Sequence, residues 1–338
     1  MLEVYDALLL VSFGGPEGMK DVEPFLHNVL AGRNVPAQRM KEVAHHYELF
    51  NGVSPINQQN RNLIKALRHE LDLHGPNIPI YWGNRNWHPF LAEAISQMQN
   101  DGVKNALAFV TSAYSSYSSC RQYRENIACA AQAAGVAPNI EKIRPYFNHP
   151  KFVEANAERV KSALASFENR DDVCLAFTAH SIPESMAQGC DYECQLSETA
   201  RLVAACAGFQ NWKLCFQSRS GPPTQPWLEP DICTYIQQCH DQGVRNLVIA
   251  PIGFVSDHME VIYDLDTQAQ QLCQKLGILM ARAGTAGTHP AFVTMIRNLI
   301  EERMYDRPRL AAGQLGASKD LCDSQCCPLT SAAETGIR

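Results

Sequence analysis

Leu247 to Asp266 reads LVIAPIGFVSDHMEVIYDLD, and the fold is decided by how its apolar opening hands over to its acidic end. Leu247–Pro251 is a short continuous apolar run, as expected of a strand buried on both faces, and Gly253 marks where it stops. Asp257 then has the character of a helix N-cap, with Glu260 at capping-box spacing. On such a helix Asp257, Glu260 and Asp264 fall at i, i+3 and i+7 and share one face, with His258 about 100° round the axis. Carboxylates aligned in this way repel one another unless they handle a cation or a proton, although a solvated helix face has the same pattern. Position favours the first reading. The stripe begins where a parallel strand ends, which is where open α/β sheets place their sites.

A second stretch repeats the design. Val173–Thr178 (VCLAFT) is another buried-strand run, and it leads into Ala179-His180-Ser181-Ile182-Pro183-Glu184. A histidine at a strand tip can be a hydrogen-bonded structural residue. Beside an acidic stripe at a neighbouring tip, it becomes a candidate base or metal ligand.

Strand-like and helix-like segments alternate throughout the chain. Ala7–Phe13 closes on Gly14-Gly15-Pro16; Pro79–Trp82, Ala106–Ala113 and Lys213–Gln217 are further strands, and helical periodicity fills the intervals. The two halves echo each other. Gly102-Val103-Lys104-Asn105 precedes one strand as Gly243-Val244-Arg245-Asn246 precedes another, and Phe13-Gly14-Gly15-Pro16-Glu17 answers His180-Ser181-Ile182-Pro183-Glu184. The expectation is an α/β protein of two similar doubly wound (Rossmann-like) domains, with parallel sheets facing a central cleft. Residues 1–147 would form the first, joined by a C-terminal helix at 290–305, and residues 148–289 the second. The tail, 308–338, has a composition that reads as disordered apart from its cysteines.

Composition sets limits. A net charge of −6 over 338 residues, with no long basic run, argues against nucleic acid as a partner. No apolar stretch approaches the ~18–20 residues of a membrane span. The start, with neither a basic region nor a separate apolar one, leads us to expect no signal peptide and a cytoplasmic protein with reduced thiols. We expect a monomer. Most of the 13 cysteines are scattered and read as small buried hydrophobes, but Cys322, Cys326 and Cys327 crowd into the tail.

Taken together, His180–Glu184, Ser256-Asp257-His258-Met259-Glu260, Gly52-Val53-Ser54-Pro55 and the Ser220–Pro230 loop with Trp227 resemble the ferrochelatases, from about Ala7 to Arg303. The resemblance implies insertion of Fe2+ into a porphyrin in haem biosynthesis, with His180 and Glu260 as a facing pair and Ser54 and Tyr123 in contact with the macrocycle. It also implies transient contact with neighbouring haem-pathway enzymes. Within the family, the polar segment around Tyr47 and SPINQQNR is similar to the soluble actinobacterial type that acts on coproporphyrin III, with the protoporphyrin IX enzymes as the alternative. Phe13 stands where some relatives have a tyrosine. Leu30 and His46 stand where relatives have arginines for propionates, which leaves Arg33, Arg85 and Arg124 as substitutes.

The chemistry suits these residues. Metalation removes two pyrrole protons and delivers a dication to a flat apolar ring. A neutral imidazole, His180, can accept protons or hold metal at one face, and the oxygens of Glu260, Asp257 and Asp264 can ligate Fe2+ weakly at the other. Trp227 and the Tyr114/Tyr117 pair can grip the ring. A porphyrin carrier without chemistry is the rival reading, but it has no use for three extra acids. A cobalt chelatase for a more reduced tetrapyrrole would share the architecture. In the tail, three thiols in six residues point to metal, and a 2Fe–2S cluster would need a fourth ligand, for which Cys120 is our choice, as in several ferrochelatases that this chain resembles. Four sulfurs suit zinc equally.

Overall fold

The computed structural model describes residues 5–32, 37–135, 137–170, 172–221 and 224–329. Its first half runs β1 (Ala7–Ser12), α1 (Met19–Leu30), α2 (Ala37–Glu48), α3 (Ile56–His74), β2 (Ile80–Asn84), α4 (Leu91–Asn100), β3 (Asn105–Val110), a π-helical turn (Tyr117–Arg121), α5 (Gln122–Ala134) and β4 (Asn139–Lys142). The second runs α6 (Pro150–Leu164), β5 (Val173–His180), α7 (Glu184–Ala187), α8 (Tyr192–Ala207), β6 (Trp212–Gln217), α9 (Ile232–Asp241), β7 (Asn246–Ala250) and α10 (Met259–Tyr263). A π-helical turn (Asp264–Ala269), α11 (Gln270–Leu276), β8 (Leu279–Arg282) and α12 (Pro290–Met304) complete it.

Both sheets are wholly parallel, and their strand orders match: β2-β1-β3-β4 and β6-β5-β7-β8. In each, the chain reverses direction across the sheet next to the first strand, so the tips of β1 and β5 open beside a switch-point crevice. The apolar runs explain the centre of each sheet. Every residue of β1 is buried, and burying each of Leu8, Leu9 and Leu10 contributes about 1.5–3 kcal/mol. The outer strands β4 and β8 escaped the sequence reading. Each has four residues, starts exposed and stays only half-buried, so NIEK and LMAR lack the apolar run of a central strand.

One core cluster spans both halves, with Phe109, Tyr114 and Tyr146 packed beside Phe152, Ala179 and Ile182. Helix α12 lies across α3 and α6. At this joint the buried guanidinium of Arg144 forks onto Glu302, at 2.8 Å from Nε and 2.9 Å from Nη2. Backbone bonds are fixed across the cleft as well: Tyr114 donates its hydroxyl to the Ile252 carbonyl, and Asp257 N donates to Gln59 Oε1.

The tail departs from its disordered composition. Leu310 N donates to Glu302 Oε1, Ala312 N to the Asn148 carbonyl, and Gln314 N to Glu198 Oε1. Its backbone polar groups find partners on the body, and that is what orders a segment poor in apolar residues. Residues 330–338 of the expected tail lie outside the described residues.

Candidate active site

His180 is the last residue of β5, in register with Gln217 of β6. Its Nδ1 lies in hydrogen-bond contact with the Ser181 carbonyl, which can only accept, so Nδ1 carries a proton. In the neutral ring the lone pair therefore belongs to Nε2, which stands 3.6 Å from Glu260 Oε2. The two side chains remain 31% and 47% exposed, open to the cleft. Burial acts to lower the His180 pKa, but the charge and hydrogen bond of Glu260 outweigh it and raise the value overall. Burial would likewise raise the Glu260 carboxyl, yet His180 holds it down at about 2.

Glu260 sits in the first turn of α10, whose N-cap is His258: the His258 Nδ1 accepts from Glu260 N at 3.2 Å. Helix α10 then widens into a π turn, which places Asp264 against β6. Asp264 Oδ2 accepts from the Ser218 hydroxyl and, at 3.4 Å, from Gln217 Nε2, while a second Gln217 Nε2 bond reaches the Glu260 carbonyl at 3.0 Å. Burial first, and then the charge of Glu260, push the Asp264 carboxyl up to about 6 despite Ser218. His258 was placed beside the stripe from sequence but given no role, and Gln217 and Ser218 were missed. Of these only His258, next to the acidic stripe, carried a signal.

Asp257 does not join the acidic set. The helix begins one residue later than the capping-box reading places it, with His258 and not Asp257 as N-cap, and the Asp257 carboxylate turns away to Arg282, at 3.1 and 3.3 Å. Arg282 is shared with Asp266. The stripe of three reduces to Glu260 and Asp264.

Nor do His180 and Glu260 face each other across a ring. A macrocycle in van der Waals contact on both faces needs about 7 Å between the groups it separates. At 3.6 Å the two stand on one side of any such ring.

An aromatic wall adjoins them. Phe25 makes edge contacts with Phe13, Tyr47 and Trp87, and Met259 and Tyr263 of α10 pack into the same cluster. Burial, and then the charge of Glu260, raise the Tyr47 hydroxyl far above its usual pKa. His46 stacks on Tyr263 at 3.7 Å. The segment around Tyr47 is not uniformly polar, because Leu49 and Val53 are exposed in it, with Val53 bridged to Glu17.

The remaining expected contacts are more deeply set. The Arg85 guanidinium lies over Tyr123 at 4.5 Å and Phe13 at 5.7 Å, and its Nε donates to Asn126. Tyr123 is buried beneath it, and Ser54 is buried against Gly15. Trp227 is buried too, bridged to Pro183 and packed on Gly221, so it supports the His180 loop from behind. Tyr114 is locked in the core between the halves and Tyr117 is bonded to Glu125, so this pair does not grip a ring. Arg124 reaches toward the Asp323 carbonyl in the tail, not the cleft. Arg33 lies outside the described residues.

Away from the cleft, Cys120 is buried in the π turn before α5, and its thiol meets that of Cys322; this contact, against the effect of burial, holds the Cys120 thiol below its usual pKa. Cys326 Sγ and Cys327 Sγ lie 3.4 Å apart. Among the described residues, no group of three or more His, Cys, Asp or Glu stands as a ready-made metal cage, and no helix is long and apolar enough to cross a membrane.

Two solved structures share this architecture. SirB from Bacillus subtilis, solved with Fe3+, matches with a TM-score of 0.59 at 13% identity, over 89% of this chain and 96% of that one. A multi-domain protein from Deinococcus radiodurans with structural similarity to chelatases matches at 0.54 and 13% identity, over 98% of this chain but 59% of that one. The fold is thus one seen in chelatases. The family model described as ferrochelatase matches residues 5–304, and the chain belongs to the ferrochelatase family of metal-chelating enzymes. It is 55% identical to the ferrochelatase of Rhodopirellula baltica, over 97% of this chain and 95% of that protein. It is 49% identical to the coproporphyrin III ferrochelatase of Streptomyces coelicolor, over 96% and 93%.

Proposed function

We propose that this protein inserts Fe2+ into coproporphyrin III, with His180 Nε2 and the Glu260 carboxylate working together on one face of the ring. The observation that carries the reading is their 3.6 Å approach at the cleft, with Nδ1 of the histidine occupied by the Ser181 carbonyl. Names of relatives such as that from Streptomyces coelicolor support the choice of porphyrin.

Metalation releases two protons for each Fe2+ bound. His180 Nε2 is placed to accept one, and the adjacent Glu260 carboxylate stabilises the imidazolium that results. Asp264, with a carboxyl that titrates at about 6, can take up another near neutral pH. The same oxygens are hard, weakly holding ligands for Fe2+ on its way to the ring. Phe13, at the tip of β1 in the other half, supplies apolar contact and no axial ligand. Tyr47, Ser54, Tyr123, Arg85 and Trp227 support the pocket, all five from buried or already bonded positions. Tyr123 would act through the Arg85 guanidinium stacked on it.

A 2Fe–2S cluster would be held by Cys120, Cys322, Cys326 and Cys327. What supports it is donor chemistry: Cys120 meets Cys322 across two distant segments and Cys326 adjoins Cys327, although the four do not converge into one cage among the described residues. When bound, such a cluster supplies a covalent cross-link and a one-electron redox centre. Anaerobic purification with visible and EPR spectra tests it, and a colourless protein with stoichiometric zinc would reject it.

The substrate is tested by anaerobic Fe2+ insertion run in parallel with coproporphyrin III and protoporphyrin IX. We expect the larger kcat/KM for coproporphyrin III without detergent. The reverse preference would overturn the choice.

A further inference from the structure

The tail does more than hold thiols. From Glu302 it crosses the joint at Arg144 and Asn148, touches α8 at Glu198, returns to the first half at Cys120, and by its last described residues reaches the second. There Pro328 packs on Gly189, its ring 3.5 Å from where a Cβ would stand. Leu329 joins the apolar cluster that contains Met186, Cys190 and Tyr192. The Cys190 thiol donates to the Met186 carbonyl at 3.2 Å, closing the turn that the tail presses on.

Tyr192, the first residue of α8, is buried and donates its hydroxyl to the His180 carbonyl at 3.0 Å. The peptide plane from His180 to Ser181 is thereby held at both ends, because Ser181 N donates to the Gln217 carbonyl at 2.8 Å. Holding the His180 carbonyl fixes the backbone that carries the His180 side chain, and the Ser181 carbonyl, one peptide further on, holds the ring by Nδ1. A continuous set of contacts therefore runs from the tail, through the 183–192 segment and Tyr192, to the ring that presents Nε2.

We propose that Tyr192 is a positioning residue for His180, and that the cysteine-anchored tail holds Tyr192 in place through Pro328 and Leu329. This rests on the assignment of His180 as the proton-accepting group.

Full-length Tyr192→Phe, Leu329→Ala and the double variant test it. Phenylalanine keeps the ring packing and removes only the hydroxyl. We expect about a 10-fold fall in kcat with the KM for porphyrin within about 2-fold, since misplacing a reacting group costs rate more than binding. Leu329→Ala should lower kcat about 3-fold, and the double variant should lose less than the product of the two. Hydrogen exchange should quicken at residues 183–192 in Leu329→Ala. An unchanged kcat in Tyr192→Phe, a KM that rises as kcat falls, or multiplicative losses would overturn the proposal. Unchanged exchange at 183–192 would overturn the role of the tail. If His180→Ala turns over normally, the proposed function itself fails. If His180→Ala is inactive while Tyr192→Phe is normal, this inference alone falls.

Discussion

The tips of β1 and β5 occupy equivalent places in two sheets of the same strand order, yet they have been put to different uses. After β1 the chain makes a glycine turn with no room beside it. Gly14 has φ +81° and its missing Cβ would lie 2.8 Å from the Asn84 Cβ, while one on Gly15 would meet Ser54 at 2.7 Å. At the end of β5 the place of Phe13 is taken by His180, held by the Ser181 carbonyl and turned toward Glu260. One tip is packed into a wall faced by Phe13, and the other presents a lone pair to the cleft. Duplicated topology therefore supplies two crevices, but the side chains decide which of them does chemistry.

The largest effect should come from breaking the reactive tip. His180→Ala and Glu260→Ala are each expected to lose at least about 100-fold in kcat while still binding porphyrin, as measured by fluorescence quenching. Near wild-type turnover in either would mean that the two tips are not specialised in this way. At the other tip, Gly14→Ala should destabilise the fold by roughly 2 kcal/mol, because it adds both a left-handed strain and a clash with Asn84. Denaturant unfolding measures this, and an unchanged midpoint would show that the wall is looser than it looks.

Between the halves, His149 caps α6 through Nδ1, and its buried Nε2 has no partner. Burial, then Arg144 and Lys151, depress its pKa to about 3, so it stays neutral in the fold but protonates near 6.5 once unfolded. Its contribution is complete above about pH 6.5 and declines by roughly 1.4 kcal/mol for each pH unit as pH falls from there toward 3. His149→Asn keeps a capping side chain and should flatten this acid limb in pH-dependent unfolding. The smallest change is expected of Asp257→Asn. It disturbs the Arg282 pair but leaves the reactive tip alone, so kcat should stay within about 3-fold. A loss approaching that of Glu260→Ala would restore Asp257 to the metal-handling set.

Asp257 shows where sequence reading stops. Its spacing to Glu260 was legible, but a helix face exists only where the helix does, and the backbone starts winding at Met259. Arg282, which claims the carboxylate, is 25 residues away in an edge strand too short to be read. The one-sided placement of His180 and Glu260 was hidden for a related reason. Two strand tips can be assigned to one cleft by pattern, but the distance between their side chains depends on how the sheets are set against each other.

By itself the sequence determined the alternation of buried strands and helices, the duplication of the halves, and His180 and Glu260 as the residues of interest. These follow from local patterns: an apolar run that cannot face water, a glycine where a turn must be tight, a histidine at a strand end. Only the tertiary structure decided that Asp257 is spent on Arg282, that Arg85 is spent on Tyr123, and that the tail is a strap reaching back to Gly189. Such outcomes depend on which of several possible partners a charged or polar group meets. That choice is made by packing between segments as far apart as Arg121 and Cys326, for which no local pattern exists.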